Sequence, residues 1–182
     1  MNHVLVPRER LARWVDNFET RHGATLLTVD AGVMRGVAVD GSSFRAALPF
    51  ATTYDGNADV AAFSAAAQPP AQWGMLLVRK GGFAMARLTG AVLGESKTGQ
   101  RHVQGRTKAG GQSQQRFSRR RDNQARQAYE AAADHAARII GDLSPDVGPI
   151  VVGGDRTAVD EVLADRRLSR LRVVDPWLAV AD

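Results

Sequence analysis

Trp73-Gly74-Met75-Leu76-Leu77-Val78-Arg79, then Lys80-Gly81-Gly82, then Phe83-Ala84-Met85-Ala86-Arg87-Leu88-Thr89: two apolar runs of strand length meet across a glycine turn. The pattern predicts a β-hairpin over Gln72–Arg79 and Phe83–Thr89. Ala91–Gly94 and Arg101–Val103 can extend the same sheet. Between them, Gly94–Gly111 is polar, basic and broken by five glycines, which reads as a mobile projecting loop. Gln114–Ile140 follows as the longest helix, with Phe117, Ala125, Ala128, Ala132, Ala136 and Ile139 as its apolar stripe. Val147–Val152 then reads as a buried strand and Asp155–Arg166 as an amphipathic helix. Leu171–Val174 and Trp177–Val180 read as two late strands. Strands and helices thus alternate in this half of the chain, which predicts an α/β fold with a mixed β-sheet flanked by helices.

Upstream, Gln68-Pro69-Pro70 is the best boundary in the sequence. Residues 1–70 form an N-terminal α+β extension, which a single compact unit can hold together with residues 71–182. Pro7–His22 has Leu11, Trp14, Val15 and Phe18 at helical spacing and Gly23 as a stop. Ala24–Asp30 and Val33–Asp40 flank Ala31-Gly32 as a hairpin, Ser43–Phe50 can add a strand, and Asp59–Ala67 reads as a short Ala-rich helix.

The 182 residues are 44% hydrophobic and 24% charged, which suits a globular chain long enough for a core. There is no cysteine, so disulfides and thiolate metal sites are excluded. The N-terminus lacks the pattern of a secretory signal, and no apolar run is long enough to span a membrane. A cytoplasmic protein is expected.

Charge is concentrated in one place. From Lys97 to Arg126 nine Lys or Arg face one acid, Asp122, for a local charge of +8, while the rest of the chain carries −3. Phosphate is the natural partner of such a segment. At its centre lies Gly110-Gly111-Gln112-Ser113-Gln114-Gln115-Arg116-Phe117-Ser118-Arg119-Arg120-Arg121. Paired glycines permit positive φ and close backbone approach to a bulky partner, and a glutamine presents both an amide and a backbone N–H. A backbone donor aimed at a developing oxyanion is worth roughly 10²–10³ in rate. A small polar tip on a basic stem suits an ester held in an RNA-lined site.

Gly110-Gly111-Gln112-Ser113 followed by Arg116-Phe117, Arg119 and Arg121 resembles the catalytic loop and succeeding helix of eukaryotic and archaeal class I peptide release factors. It is similar also to the VLRF group of peptidyl-tRNA hydrolases, which has an actinobacterial branch. The hairpin, the motif, the long helix and Ile150-Val151-Val152-Gly153-Gly154 follow the order of that family's middle domain, so the resemblance covers about residues 72–182. It implies an RNase H-like catalytic domain over 71–182 with a projecting loop at 94–112. Gln112 would be catalytic, shaped by Gly110 and Gly111. Arg106, Lys108, Arg116, Arg119, Arg120 and Arg121 would contact phosphates.

The related Gly-x-x-Gln spacing is met by Gly111 and Gln114, so Gln114 is a second catalytic candidate. Gln112 is preferred because Ser113, Arg116 and Phe117 keep the release-factor register. The expected partners are large-subunit rRNA and peptidyl-tRNA, with no membrane, metal or cofactor, and a monomer when free. The chain offers no room for a stop-codon-reading domain beside the catalytic one, so codon-independent release of stalled nascent chains is the expected activity.

Two rivals stand beside it. A flexible Gly-Gly turn before a solvated helix would make the chain a non-catalytic ribosome- or RNA-binding module. Asp30, Asp40 and Asp155 resemble nuclease carboxylates, which would have to converge on two metal ions; hairpin turns and a helix cap explain them more simply. His3, His22, His102 and His135 show no ligand spacing, and Ser42, Ser43 and Ser64 lack the setting of a nucleophile.

Overall fold

The computed structural model describes residues 4–79, 81–100 and 112–180, and for residues 112–124 the backbone alone. The chain divides into two compact units, residues 1–69 and 70–182, at the Pro-Pro pair.

In the first unit a 3-10 turn at Arg8–Arg10 leads into α1 (Leu11–His22), which ends on Gly23 at φ 90°. Antiparallel β1 (Thr25–Asp30), β2 (Val33–Ala38) and β3 (Ser43–Ala47) form a three-stranded sheet in the order β1-β2-β3. The strand expected over Ser43–Phe50 ends early, because a 3-10 turn at Pro49–Ala51 puts Phe50 and Ala51 at positive φ. α2 (Val60–Ala66) is capped by Asp59, whose carboxylate accepts from Ala62 N–H at 2.7 Å. Met34, Leu48, Tyr54 and Phe63 form its core. Trp14, Phe18 and Phe44 make a separate aromatic cluster with centroids 5.0–5.9 Å apart.

The second unit carries a five-stranded mixed sheet in the order β6-β5-β4-β7-β8. β4 (Trp73–Arg79) and β5 (Gly82–Thr89) form the expected hairpin, with Leu76 and Val78 of β4 and Met85 of β5 buried. β6 (Val92–Gln100) continues it antiparallel along one edge. The projecting loop expected over 94–112 is therefore strand as far as Gln100. The strand was hidden because it is an edge strand exposed along nearly all its length. Its side chains carry no burial pattern, and backbone pairing with β5 holds it.

α3 (Gln112–Ile139) starts two residues before the expected helix and packs on β5 and β6. A turn in which Val147 and Gly148 bond back to Ser144, followed by Pro149, delays β7 to Ile150–Gly154. β7 lies parallel to β4, and α4 (Arg156–Leu163) covers both. A 3-10 turn at Arg166–Leu168 precedes β8 (Val173–Leu178), which is parallel to β7. The two late strands expected are one. Proline is tolerated inside it because β8 is an edge strand, and the register with β7 shifts around Pro176. Ala132, Ala136 and Ile139 of α3, Ile140 just after it, Val159 and Val162 of α4 and the sheet's Leu76, Ile150 and Val152 share one core.

Candidate functional site

The strand directions decide from which end of the sheet the chain leaves β6. β4, β6, β7 and β8 all run one way, since β6 is antiparallel to β5, β5 to β4, and β7 and β8 are parallel to β4. Their C-terminal ends, Arg79, Gln100, Gly154 and Leu178, therefore share one end of the sheet. The chain leaves β6 there at Gln100, and α3 returns from Gln112.

Of the residues singled out above, Gly110, Gly111, Arg106 and Lys108 lie outside the described residues. Gln112 is the first residue of α3, and Gln114, Arg116, Arg119, Arg120 and Arg121 occupy the turns that follow. Arg116, Arg119 and Arg120 stand three and four positions apart, the spacing of neighbours on a helix.

What holds this stem is its other half. Ala128 is the first buried residue of α3 among those described, and Ala132, Ala133, Ala136 and Ile139 continue the buried stripe. At 1.5 Å per residue the rise from Gln112 to Ala128 is about 24 Å. Residues 112–124 contain one apolar side chain, Phe117. That composition supplies no stripe with which to bury the leading turns.

Three arginines fasten the anchored half and the turn that follows it, through contacts that were not legible in the sequence. Arg138 of α3 pairs with Glu95 of β6. Arg87 of β5 donates to Asp142 at 2.5 Å and, through Nε, to Gln72 at 3.1 Å. Arg167, after α4, donates to Asp134 of α3 and to Asp165, both at 2.7 Å. These partners lie 15 to 55 residues apart apart from the local Asp165, and no periodicity marks such pairs. The Arg87 guanidinium holds the Asp142 carboxyl below its ordinary range. Arg167 holds Asp165 at about 2 and is itself raised by the two carboxylates. Burial, helped by Asp155 and Glu161, raises the Tyr129 phenol.

An apolar contact adds to these. The Phe83 ring lies where a Cβ on Gly99 would come within 2.4 Å of it, and its centroid is 5.8 Å from the His135 ring of α3. Gly99, one residue before the chain leaves β6 at Gln100, lets that ring cross the edge strand.

The carboxylates considered for nuclease chemistry are spent on local structure. Asp30 pairs with Arg35 at 3.3 Å, Asp40 takes Ser42 N–H and His22 Nδ1, and Asp155 caps α4 by accepting from Ala158 N–H at 3.2 Å. Among the described residues no group of three or more His, Asp or Glu is placed to hold a metal ion, and no helix is long and apolar enough to cross a membrane. Ser64 donates its hydroxyl to the Arg8 carbonyl.

Seventeen chains of solved structures match this one. One is the crystal structure of an archaeal translation termination factor, aRF1, at 15% identity and TM-score 0.41. It covers 96% of this chain and 49% of its own. Another, an archaeal protein, is 18% identical with TM-score 0.39, over 82% of this chain and 43% of its own. The chain thus spans about half the length of these structures or less. No curated protein sequence matches it. A family model described as the Actinobacteria/chloroflexi VLRF1 release factor matches residues 71–182, the whole of the five-stranded sheet with α3 and α4. The chain belongs to that release-factor family.

Proposed function

We propose that this protein is a ribosome-associated peptidyl-tRNA hydrolase that frees nascent chains from stalled ribosomes. One observation carries the reading. The family match runs through Gly110-Gly111-Gln112, and that segment joins the exposed edge strand β6 to a basic helix whose far half is locked into the core. In this reading the arginines steer the stem along RNA phosphates. The Gly-Gly-Gln tip enters the peptidyl-transferase centre, and a donor at Gln112 stabilises the oxyanion formed when water attacks the ester. Water supplies the nucleophile, the peptide leaves with a free carboxyl group, and the terminal ribose regains its hydroxyl. Release is independent of the codon, and the protein acts in the cytoplasm, as a monomer when free and without a cofactor.

The test is peptide release from stalled ribosome–nascent-chain complexes. Wild type should release peptide whatever codon is displayed, and leave the tRNA chain intact. Gln112→Ala should lower the rate by about 10²-fold or more, while Gln114→Ala leaves it largely unchanged. The reverse ranking of the two variants would move the catalytic role to Gln114. A wild type that binds ribosomes and releases nothing would leave an RNA-binding module.

A further inference from the structure

We infer that Arg156 and Trp177 form a second RNA contact at the end of the sheet from which the chain leaves β6: a guanidinium seated on an indole, presented to an unpaired RNA base. The inference rests on the reading of this chain as a ribosome-acting factor.

β7 ends at Gly154 and α4 begins at Arg156, while Trp177 stands near the end of β8. Both residues thus lie at the C-terminal ends of the parallel strands, which is the end from which the chain leaves β6. With strands about 4.8 Å apart, β8 lies roughly 19 Å across the sheet from β6. A base held here and an ester reached by the tip would belong to different parts of one bound RNA surface.

The pair is built in layers. Trp177 packs against the hydrophobic core of the unit, and its Nε1–H donates to the Gly154 carbonyl at 3.3 Å, which fixes the indole. Gly154 sits at φ 93°, where a Cβ would meet the Val78 carbonyl at 2.1 Å, so the backbone beneath the pair is itself constrained. The Arg156 guanidinium carbon lies over the indole, 4.2 Å from its centroid, and the arginine is exposed. A guanidinium resting on a ring keeps its other side available, and arginine planes stack on unpaired bases as aromatic rings do.

Stability does not account for this cation. Arg156 is the first residue of α4, where the helix dipole disfavours positive charge. Among the described residues it makes no ion pair, and the adjacent Asp155 has turned its carboxylate to the Ala158 N–H. The attraction of the ring and the repulsion of the dipole are of similar size, so the arrangement returns little to the fold. It is suited instead to a partner that brings a π-face and negative charge together, as RNA does.

The experiment measures sedimentation binding of the full chain to vacant large ribosomal subunits and to subunits carrying peptidyl-tRNA, with peptide release followed on the latter. Arg156→Ala should weaken binding about 10-fold, the scale of one stacked base. Arg156→Lys should fail to restore it, because lysine keeps the charge and loses the plane. Trp177→Phe, which keeps a ring, should bind nearly as wild type does. A defect on both kinds of subunit assigns the base to ribosomal RNA; a defect confined to loaded subunits assigns it to tRNA. Wild-type binding by Arg156→Ala, or full rescue by Arg156→Lys, overturns the stacking site. Gln112→Ala separates this inference from the hydrolase reading, since it should lower the release rate by about 10²-fold or more and leave subunit affinity intact. If wild type itself releases nothing, the hydrolase reading fails while the affinity data still decide the stack.

Discussion

The Arg167 guanidinium bonds Asp165 and Asp134 at once, and so ties the turn after α4 to the anchored half of α3. The Asp165 carboxyl also accepts the Arg167 backbone N–H at 2.9 Å, and these bonds bring its pKa to about 2. An unfolded aspartate titrates near 3.9. A carboxyl lowered on folding contributes stability above the unfolded value, and that contribution disappears as pH falls through the folded one. Asp142, lowered by Arg87, acts in the same direction. Thermal melting of wild type should therefore lose a few degrees between about pH 4 and pH 2 on account of these groups. Asp165→Asn should start from a lower Tm near neutrality and show a shallower acid limb. Superimposable Tm-against-pH curves for the two proteins would refute this role for the pair. Exposure of these side chains to solvent and salt keeps the effect modest.

α3 is one helix with two compositions, and the two halves should answer mutation differently. Ala136 is fully buried against the sheet, so Ala136→Leu forces a larger side chain into a closed core at about 1–3 kcal/mol. Its Tm should fall by several degrees. Arg119→Glu with Arg120→Glu touches a stretch with a single apolar residue. That double variant should melt like wild type, bind ribosomes more weakly and show a flatter dependence of affinity on salt. A large drop in Tm for the arginine variant would mean that the leading turns are packed into the fold and are no stem.

The same division explains what was legible beforehand. The β4–β5 hairpin and the alanine stripe of α3 announce themselves because burial on one side imposes a period on the sequence. β6 has no buried face to impose one, and β8 breaks its own pattern with Pro176. The Arg138–Glu95 and Arg167–Asp134 ties depend on topology that no local pattern encodes. The glycine-glutamine segment stood out for the opposite reason, a composition unlike a core, and its catalytic role is what the release assay tests. Arg156 and Trp177 went unremarked because each is ordinary alone, and only parallel pairing of β7 with β8 joins them.

At the scale of the molecule, charge and fold divide at the same place. Residues 1–69 hold six Lys or Arg and seven Asp or Glu, a net −1, while residues 70–182 hold eighteen and twelve, a net +6. Each unit has its own apolar core. Counterion release on RNA binding scales with the number of phosphates neutralised, so the salt dependence of ribosome affinity should belong to the second unit. A variant lacking residues 1–69 should melt cooperatively, because the five-stranded sheet and its two covering helices are complete without them. Its plot of log affinity against log salt should keep the slope of the full chain. Any affinity lost on deletion should then appear as a parallel offset, the signature of contacts that displace few ions. A slope that falls markedly would place phosphate contacts on the first unit, whose six cations are matched by its acids overall. They would then have to be gathered on one face, with the cross-strand neighbours Arg35 and Arg45 the first to replace.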